Sequence, residues 1–351
     1  MASTKLKAWV SAARLRTLPL SISGILMGSA FAYSKVNNWR STLDYLKKSP
    51  VEETGVVDYL QSIGFDFNYT IPILALITTL GFQILSNFAN DYGDGVKGTD
   101  NEDRIGPMRA IQSGIISPQE MKRGMIVTAV LTLICAILLI YVSLGIDKLL
   151  VSLFFLVLGI GAIWAAIKYT VGDNAYGYRG LGDVFVFIFF GPVSVIGIYY
   201  LITKVVDWEM IFPSITIGLL SVAVLNLNNM RDVESDKKAG KNTIVVKMGL
   251  AKAKLLHYGF VVMAFICAVI SVLELFVSAM EVSVYNDEEV FYGSNYWAFL
   301  PLLAFIPLFI HLNKVKKTTS PALLDPELKK VALSTFMFAL LSILSAYLIT
   351  V

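Results

Sequence analysis

Nine long apolar runs, centred on residues 16–34, 71–89, 124–143, 149–167, 181–201, 210–228, 256–280, 296–312 and 331–350, limit what this chain can fold into. A hydrocarbon layer about 30 Å thick takes roughly 20 apolar residues per crossing helix, close to the length of each run. Inside lipid every backbone N–H and C=O must find a partner within the protein, so only helices or a closed barrel can cross. The residue-by-residue alternation of a barrel strand is absent from these runs. Only 16% of the 351 residues are charged, which excludes a pair of soluble domains. The expectation is an all-α, polytopic membrane bundle of nine transmembrane helices forming one domain over residues 1–351.

Orientation follows from the basic residues. With the N-terminus placed in the cytoplasm, the connections on that side carry 23 of the 29 lysines and arginines. This positive-inside bias supports nine crossings and puts Val351 on the opposite side. Lys5, Lys7, Arg14 and Arg16 precede the first run as in a signal peptide, but no convincing small-residue cleavage site follows, so a retained first helix is expected. Residues 34–70 form the longest outside connection, with short surface helices expected, and its Asn68-Tyr69-Thr70 sequon is short enough to arise by chance. Cys135 and Cys267 both fall within crossings, which removes a disulfide framework from consideration. His257 and His311 lie near helix ends, far along the chain from the acidic segments below, where interfacial roles are expected.

Two cytoplasmic connections, 90–123 and 230–254, hold the chemistry. The second run ends in Asn87-x3-Asp91-x2-Asp94, and the sixth ends in Asn228-x3-Asp232-x3-Asp236. If the helices persist, steps of three and four put each Asn and its two aspartates on one face. Two such faces could meet across the bundle around a central cavity open toward the cytoplasm. Carboxylates at helix ends in a membrane are rare and functional by default. Oxygen ligands without nearby His or Cys favour Mg²⁺, which completes its shell with water and phosphate oxygens. Lys97, Arg109 and Lys241 stand beside the acids and suit a diphosphate, with Asn87 and Asn228 as orienting groups. An apolar bundle around such a site suggests a lipid diphosphate, with the bilayer as the other partner. No nucleic-acid partner and no obligate protein partner is indicated. The third run opens with Ser117, Pro118 and Glu120, a capping box with a first-turn proline.

The stretches "NDYGDGVKGTDNEDRIGPMRAIQSG" and "NNMRDVESDKKAGKNTIVVKMG" resemble the two Asp-rich motifs of the UbiA superfamily of intramembrane aromatic prenyltransferases. With "GYRGLGDVFVFIFFGPV" at 177–193, the first is most similar to the 1,4-dihydroxy-2-naphthoate polyprenyltransferase branch. The resemblance implies Mg²⁺-dependent transfer from polyprenyl diphosphate to dihydroxynaphthoate with loss of CO₂ and diphosphate, giving demethylmenaquinol in a bacterial cytoplasmic membrane. It makes Asp91, Asp94, Asp232 and Asp236 the metal-binding catalytic acids. Arg16, Lys168, Tyr169 and Asp183 become candidates for the acceptor side. Many members place a third acid seven residues after the first; here that position is Gly98, and Asp100 follows two later. Two alternatives stand beside this reading. One is another acceptor on the same scaffold, such as 4-hydroxybenzoate, homogentisate or a haem precursor. The other is a secondary transporter, which predicts acids near the midplane and two comparable halves.

Overall fold

The computed structural model describes residues 2–48, 67–98, 108–285 and 296–350. Among these residues, nine helical segments are long and apolar enough to cross a membrane, as the sequence requires. Helices α1 (Ala2–Ala12) and α2 (Leu18–Lys48) share the first crossing and join through Arg14, held at φ 49°. Then come α3 (Thr70–Lys97), α4 (Pro118–Leu144) and α5 (Leu149–Lys168). The fifth crossing is α6 (Gly182–Ile188) and α7 (Ser194–Thr203), joined by a π-turn over Phe189–Val193 that accommodates Pro192. Helix α8 (Ile211–Arg231) runs into the short α9 (Val233–Lys238) and α10 (Ile244–Met248). The last crossings are α11 (Leu250–Tyr285), a 3₁₀ segment (Tyr296–Phe305) leading into α12 (Ile306–Lys317), and α13 (Asp325–Thr350).

Local chemistry explains the ends. Ser117 accepts from the Glu120 N–H at 3.3 Å while the Glu120 carboxylate accepts from the Ser117 N–H at 3.0 Å, so the expected capping box is present. Helix α2 continues through Lys48 instead of giving way to a loop at residue 34, because no Gly or Pro interrupts the chain between Gly28 and Pro50. Residues 49–66 of that outside connection, where surface helices are expected, lie outside the described residues, as does Asp100. Gly28 permits the close approach of α2 to α7: a Cβ there would sit 2.3 Å from the Val195 carbonyl oxygen.

The largest apolar core joins α8, α11, α12 and α13, with Ile217, Leu227, Val261, Phe305 and Phe338 fully enclosed. A second core seats α1 beneath α3 and α4, where Trp9 meets Phe88 edge-to-face at 5.2 Å. Helix α5 differs from its neighbours, since Ala165 is its sole buried residue and the rest of its surface is at least partly open to the surroundings. His257 and His311 depart from expectation. Both are fully buried between packed helices and hydrogen-bond to each other at 2.8 Å, rather than lying at an interface.

Candidate active site

A cavity of about 570 Å³ runs through the bundle between α2, α3, α4, α5, α6–α7, α8 and α13. Most of its wall is apolar, including Ile25, Ala75, Leu139, Phe155, Gly159, Gly197 and Leu201. One end is polar, with Arg16, Asn87, Asn90, Asp94, Arg109, Asn228, Arg231, Lys241 and Asp325. A chamber divided this way matches a ligand with a charged head and a long apolar tail.

Helix α3 builds the first polar wall. It remains helical to Lys97 and ends on Gly98 at φ 71°. Asn87, Asn90 and Asp94 share its inward face and all line the cavity. The Asp94 carboxylate receives Arg109 Nη1 at 2.7 Å and the Tyr178 hydroxyl at 2.8 Å. Arg109 also donates to the Asn90 carbonyl at 2.6 Å.

Asp91 is placed differently from the expected metal ligand. Its carboxylate accepts the backbone N–H groups of Ala110 and Ile111 at 3.1 and 3.3 Å, and it does not line the cavity. The bonds dock the segment after residue 107 on α3 and so carry Arg109 to Asp94. Asn87 is an anchor as well: its Nδ2 donates to the Ala13 carbonyl at 2.9 Å and reaches Thr17 Oγ1 at 3.3 Å, holding the turn between α1 and α2. Asn90 takes the place facing Asp94, one helical turn earlier. Spacing could have revealed it, because Asn90 and Asp94 are an i,i+4 pair.

The second wall forms where α8 stops. Asp232 sits at the break with φ −96° and ψ 11°, and α9 resumes so that the Asp236 N–H donates to the Asp232 carbonyl at 2.8 Å. Arg231 grips Asp232 through Nε at 2.7 Å and Nη2 at 2.6 Å. The same guanidinium donates to Asn228 Oδ1 at 2.9 Å and to Asp325 of α13 at 2.6 Å. Asp236 pairs with Lys241 at 3.4 Å through one oxygen, while the other is buried without a hydrogen-bond partner. Burial pushes Asp236 up to about 6 despite the Lys241 cation. Burial also opposes the charge on Lys241, but Asp236 and Asp94 outweigh it and hold the ammonium above its ordinary value.

Residues 169–181 join the two walls. Tyr178, whose hydroxyl reaches Asp94, has Lys97 over its ring at 4.0 Å and Lys241 at 5.7 Å from the ring centroid. Lys97 itself donates to the Gly172 carbonyl at 2.8 Å, and the Asn242 N–H donates to the Tyr178 carbonyl at 2.9 Å. The two helix ends therefore adjoin one chamber, with Lys241 between Asp94 and Asp236, although Asp232, Asp236 and Tyr178, like Asp91, do not line its wall. No periodic pattern marks Tyr178 in the sequence, since it stands in a connection.

The four acceptor candidates divide. Arg16 and Tyr169 line the cavity; Lys168 is exposed and outside the wall; Asp183 is buried beside the wall with one oxygen lacking a partner. A Cβ on Gly182 would lie 2.9 Å from the Tyr169 ring, so a glycine at that position lets the ring seat. Burial, with Asp183 nearby, holds the Tyr169 phenol above its usual range and keeps it protonated.

Comparison with known proteins agrees with this architecture. The model of the UbiA prenyltransferase family matches residues 55–285. The chain belongs to the UbiA prenyltransferase family. Among curated UbiA relatives, the 1,4-dihydroxy-2-naphthoate octaprenyltransferase of Escherichia coli (strain K12) is 37% identical over 345 residues, covering 98% of this chain and 96% of that protein. The Haemophilus influenzae protein of the same name is 39% identical over 325 residues, covering 92% of each. In fold, a UbiA homolog from Archaeoglobus fulgidus bound to DMAPP and Mg²⁺ superposes with TM-score 0.56 at 16% identity, over 96% of this chain and 98% of that one.

The residues at the polar end fit Mg²⁺. Among the described residues no three His, Cys, Asp or Glu side chains converge on one point, so a cation would combine a few carboxylates with phosphate or water oxygens. The buried, unpartnered oxygen of Asp236 and its raised proton affinity are what a carboxylate short of positive charge displays.

Proposed function

We propose that this integral membrane protein transfers a polyprenyl group from its diphosphate to 1,4-dihydroxy-2-naphthoate, with the relatives' names pointing to an eight-unit chain. The observation that supports this most is an apolar chamber with Asp94, Arg109, Asn228, Arg231 and Lys241 at its head, where Lys241 lies between Asp94 and Asp236. The whole chain acts as one catalytic unit in a bacterial cytoplasmic membrane. Its polar end and N-terminus face the cytoplasm, and its C-terminus lies outside.

Asp94 on one side, and Asp232 and Asp236 on the other, would each supply oxygen to Mg²⁺ without all three meeting at a single ion, with Asn90 and Asn228 orienting them. Bound Mg²⁺ supplies the positive charge that makes diphosphate a good leaving group. Arg109, Lys241 and Tyr178 turn their donors to the diphosphate oxygens as the allylic C–O bond breaks and its electron pair leaves with the diphosphate. The apolar wall keeps water from the resulting cation, and Tyr169, Phe185 and Phe189 are among the aromatic side chains that line it. Arg16 and Tyr169 hold the acceptor. Its carboxyl-bearing carbon forms the new C–C bond, and CO₂ departs with restoration of the aromatic ring. Asp91 and Asn87 keep the two polar segments in place, Asn87 from a position on the chamber wall.

Purified protein supplied with octaprenyl diphosphate, Mg²⁺ and dihydroxynaphthoate should form the prenylated, decarboxylated product by mass spectrometry. Product from 4-hydroxybenzoate alone would overturn the choice of acceptor.

A further inference from the structure

Three side chains outside the reaction chamber form a hydrogen-bonded chain through the protein interior. His257 on α11 meets His311 on α12, Nε2 to Nε2, at 2.8 Å. His311 Nδ1 then meets Glu327 Oε2 on α13 at 2.7 Å, and Lys330 donates to the other Glu327 oxygen at 2.7 Å. His257 and His311 are 0% exposed and Glu327 is 1% exposed.

Such a chain is not needed merely to hold three helices together. Replacing buried ionisable partners with apolar side chains of similar volume is often neutral or stabilising. Directional bonds add register instead, because apolar faces slide past each other more readily than a fixed donor and acceptor do. The register matters here because Glu327 belongs to the first turn of α13. Two residues before it, Asp325 receives Arg231, the same guanidinium that grips Asp232 and Asn228. Two residues after it, Lys329 lines the cavity. Slipping or rotating α13 would withdraw both from the polar end.

We propose that His257, His311 and Glu327 are positioning residues for the diphosphate end of the site. They fix α13 so that Asp325 sets Arg231, and through it Asp232, for the head group. The inference rests on the prenyl-transfer reading, which wild-type turnover with octaprenyl diphosphate and dihydroxynaphthoate tests separately. If wild type makes no product, that reading fails before any variant is compared.

Steady-state kinetics in reconstituted bilayers test the positioning role. Glu327→Leu, which fills the space but accepts no hydrogen bond, should raise KM for octaprenyl diphosphate roughly tenfold, the lower end of losses seen for outer-shell partners. KM for dihydroxynaphthoate should stay within about twofold, while the thermal unfolding temperature falls, because His311 is left buried without its acceptor. Glu327→Gln keeps an acceptor for His311 and should recover most of the loss. In an Asp325→Asn background, Glu327→Leu should add less than about twofold, because both act through the same guanidinium. Unchanged diphosphate KM in folded Glu327→Leu, an equal rise in both KM values, or full multiplication with Asp325→Asn would each overturn the proposal. Should Glu327→Leu fail to fold, His257→Leu carries the same comparison from the other end of the chain, with the same outcomes deciding.

Discussion

The end of α3 and the end of α8 carry nearly the same acidic pattern, yet the protein uses them differently. On α3 the helix continues through both aspartates, which are satisfied from outside the helix: Asp91 by two backbone N–H groups, Asp94 by Arg109 and Tyr178. On α8 the helix breaks between its acids. Asp232 is held by the arginine next to it, and Asp236 keeps a buried oxygen with no partner. The first cluster is thus already supplied with protein donors, both Asp91 oxygens being taken by backbone N–H groups. The second is the less neutralised, which is why we propose that a cation gains most there. Matching spacing along a chain does not imply matching work.

Three experiments sharpen or break this contrast. The largest effect should come from Asp94→Asn and Asp236→Asn, each lowering turnover about 10²–10³-fold, the scale for losing one group aimed at transition-state charge. The protein should remain monodisperse; wild type should melt higher on adding Mg²⁺ and these variants should not, and a shift that persists in Asp236→Asn would remove that residue from the metal site. Asp91→Asn should be milder, roughly tenfold in kcat/KM through misplaced Arg109. It should still show the Mg²⁺-dependent thermal shift; loss of that shift would put Asp91 among the ligands and make the two helix ends equivalent. The smallest effect belongs to Ser117→Ala, which removes the α4 cap and should cost about 1 kcal/mol of stability with kcat unchanged. A large kcat change there would mean that the 108–116 segment moves during turnover.

Much of this was legible in the sequence because lipid imposes strict rules. Nine crossings follow from run length and the α4 start from Ser117 and Glu120, while the persistence of α3 past Asp94 was a condition of the spacing argument that the structure meets. The site was legible as two clusters but not in its assignments. Which oxygen of which aspartate faces the cavity depends on what docks against the helix, and Ala110 and Ile111 claim Asp91 from a segment with no periodic signal. Tyr178 and Asp325 escaped notice for the same reason, since each reaches its partner from a different element, 84 and 94 residues away in sequence. Lys168, by contrast, looked suitable by position but points outward.

Helix α5 has a further consequence. It contributes Leu158, Gly159 and Ala162 to the chamber while enclosing little of its own surface. One side of the reaction vessel is therefore a single helix thick, with acyl chains behind it. Bilayer thickness and tail order press on that partition from outside. The surrounding membrane becomes a working part of the container, so the same polypeptide in a thinner or stiffer lipid mixture is a different vessel for its greasy substrate.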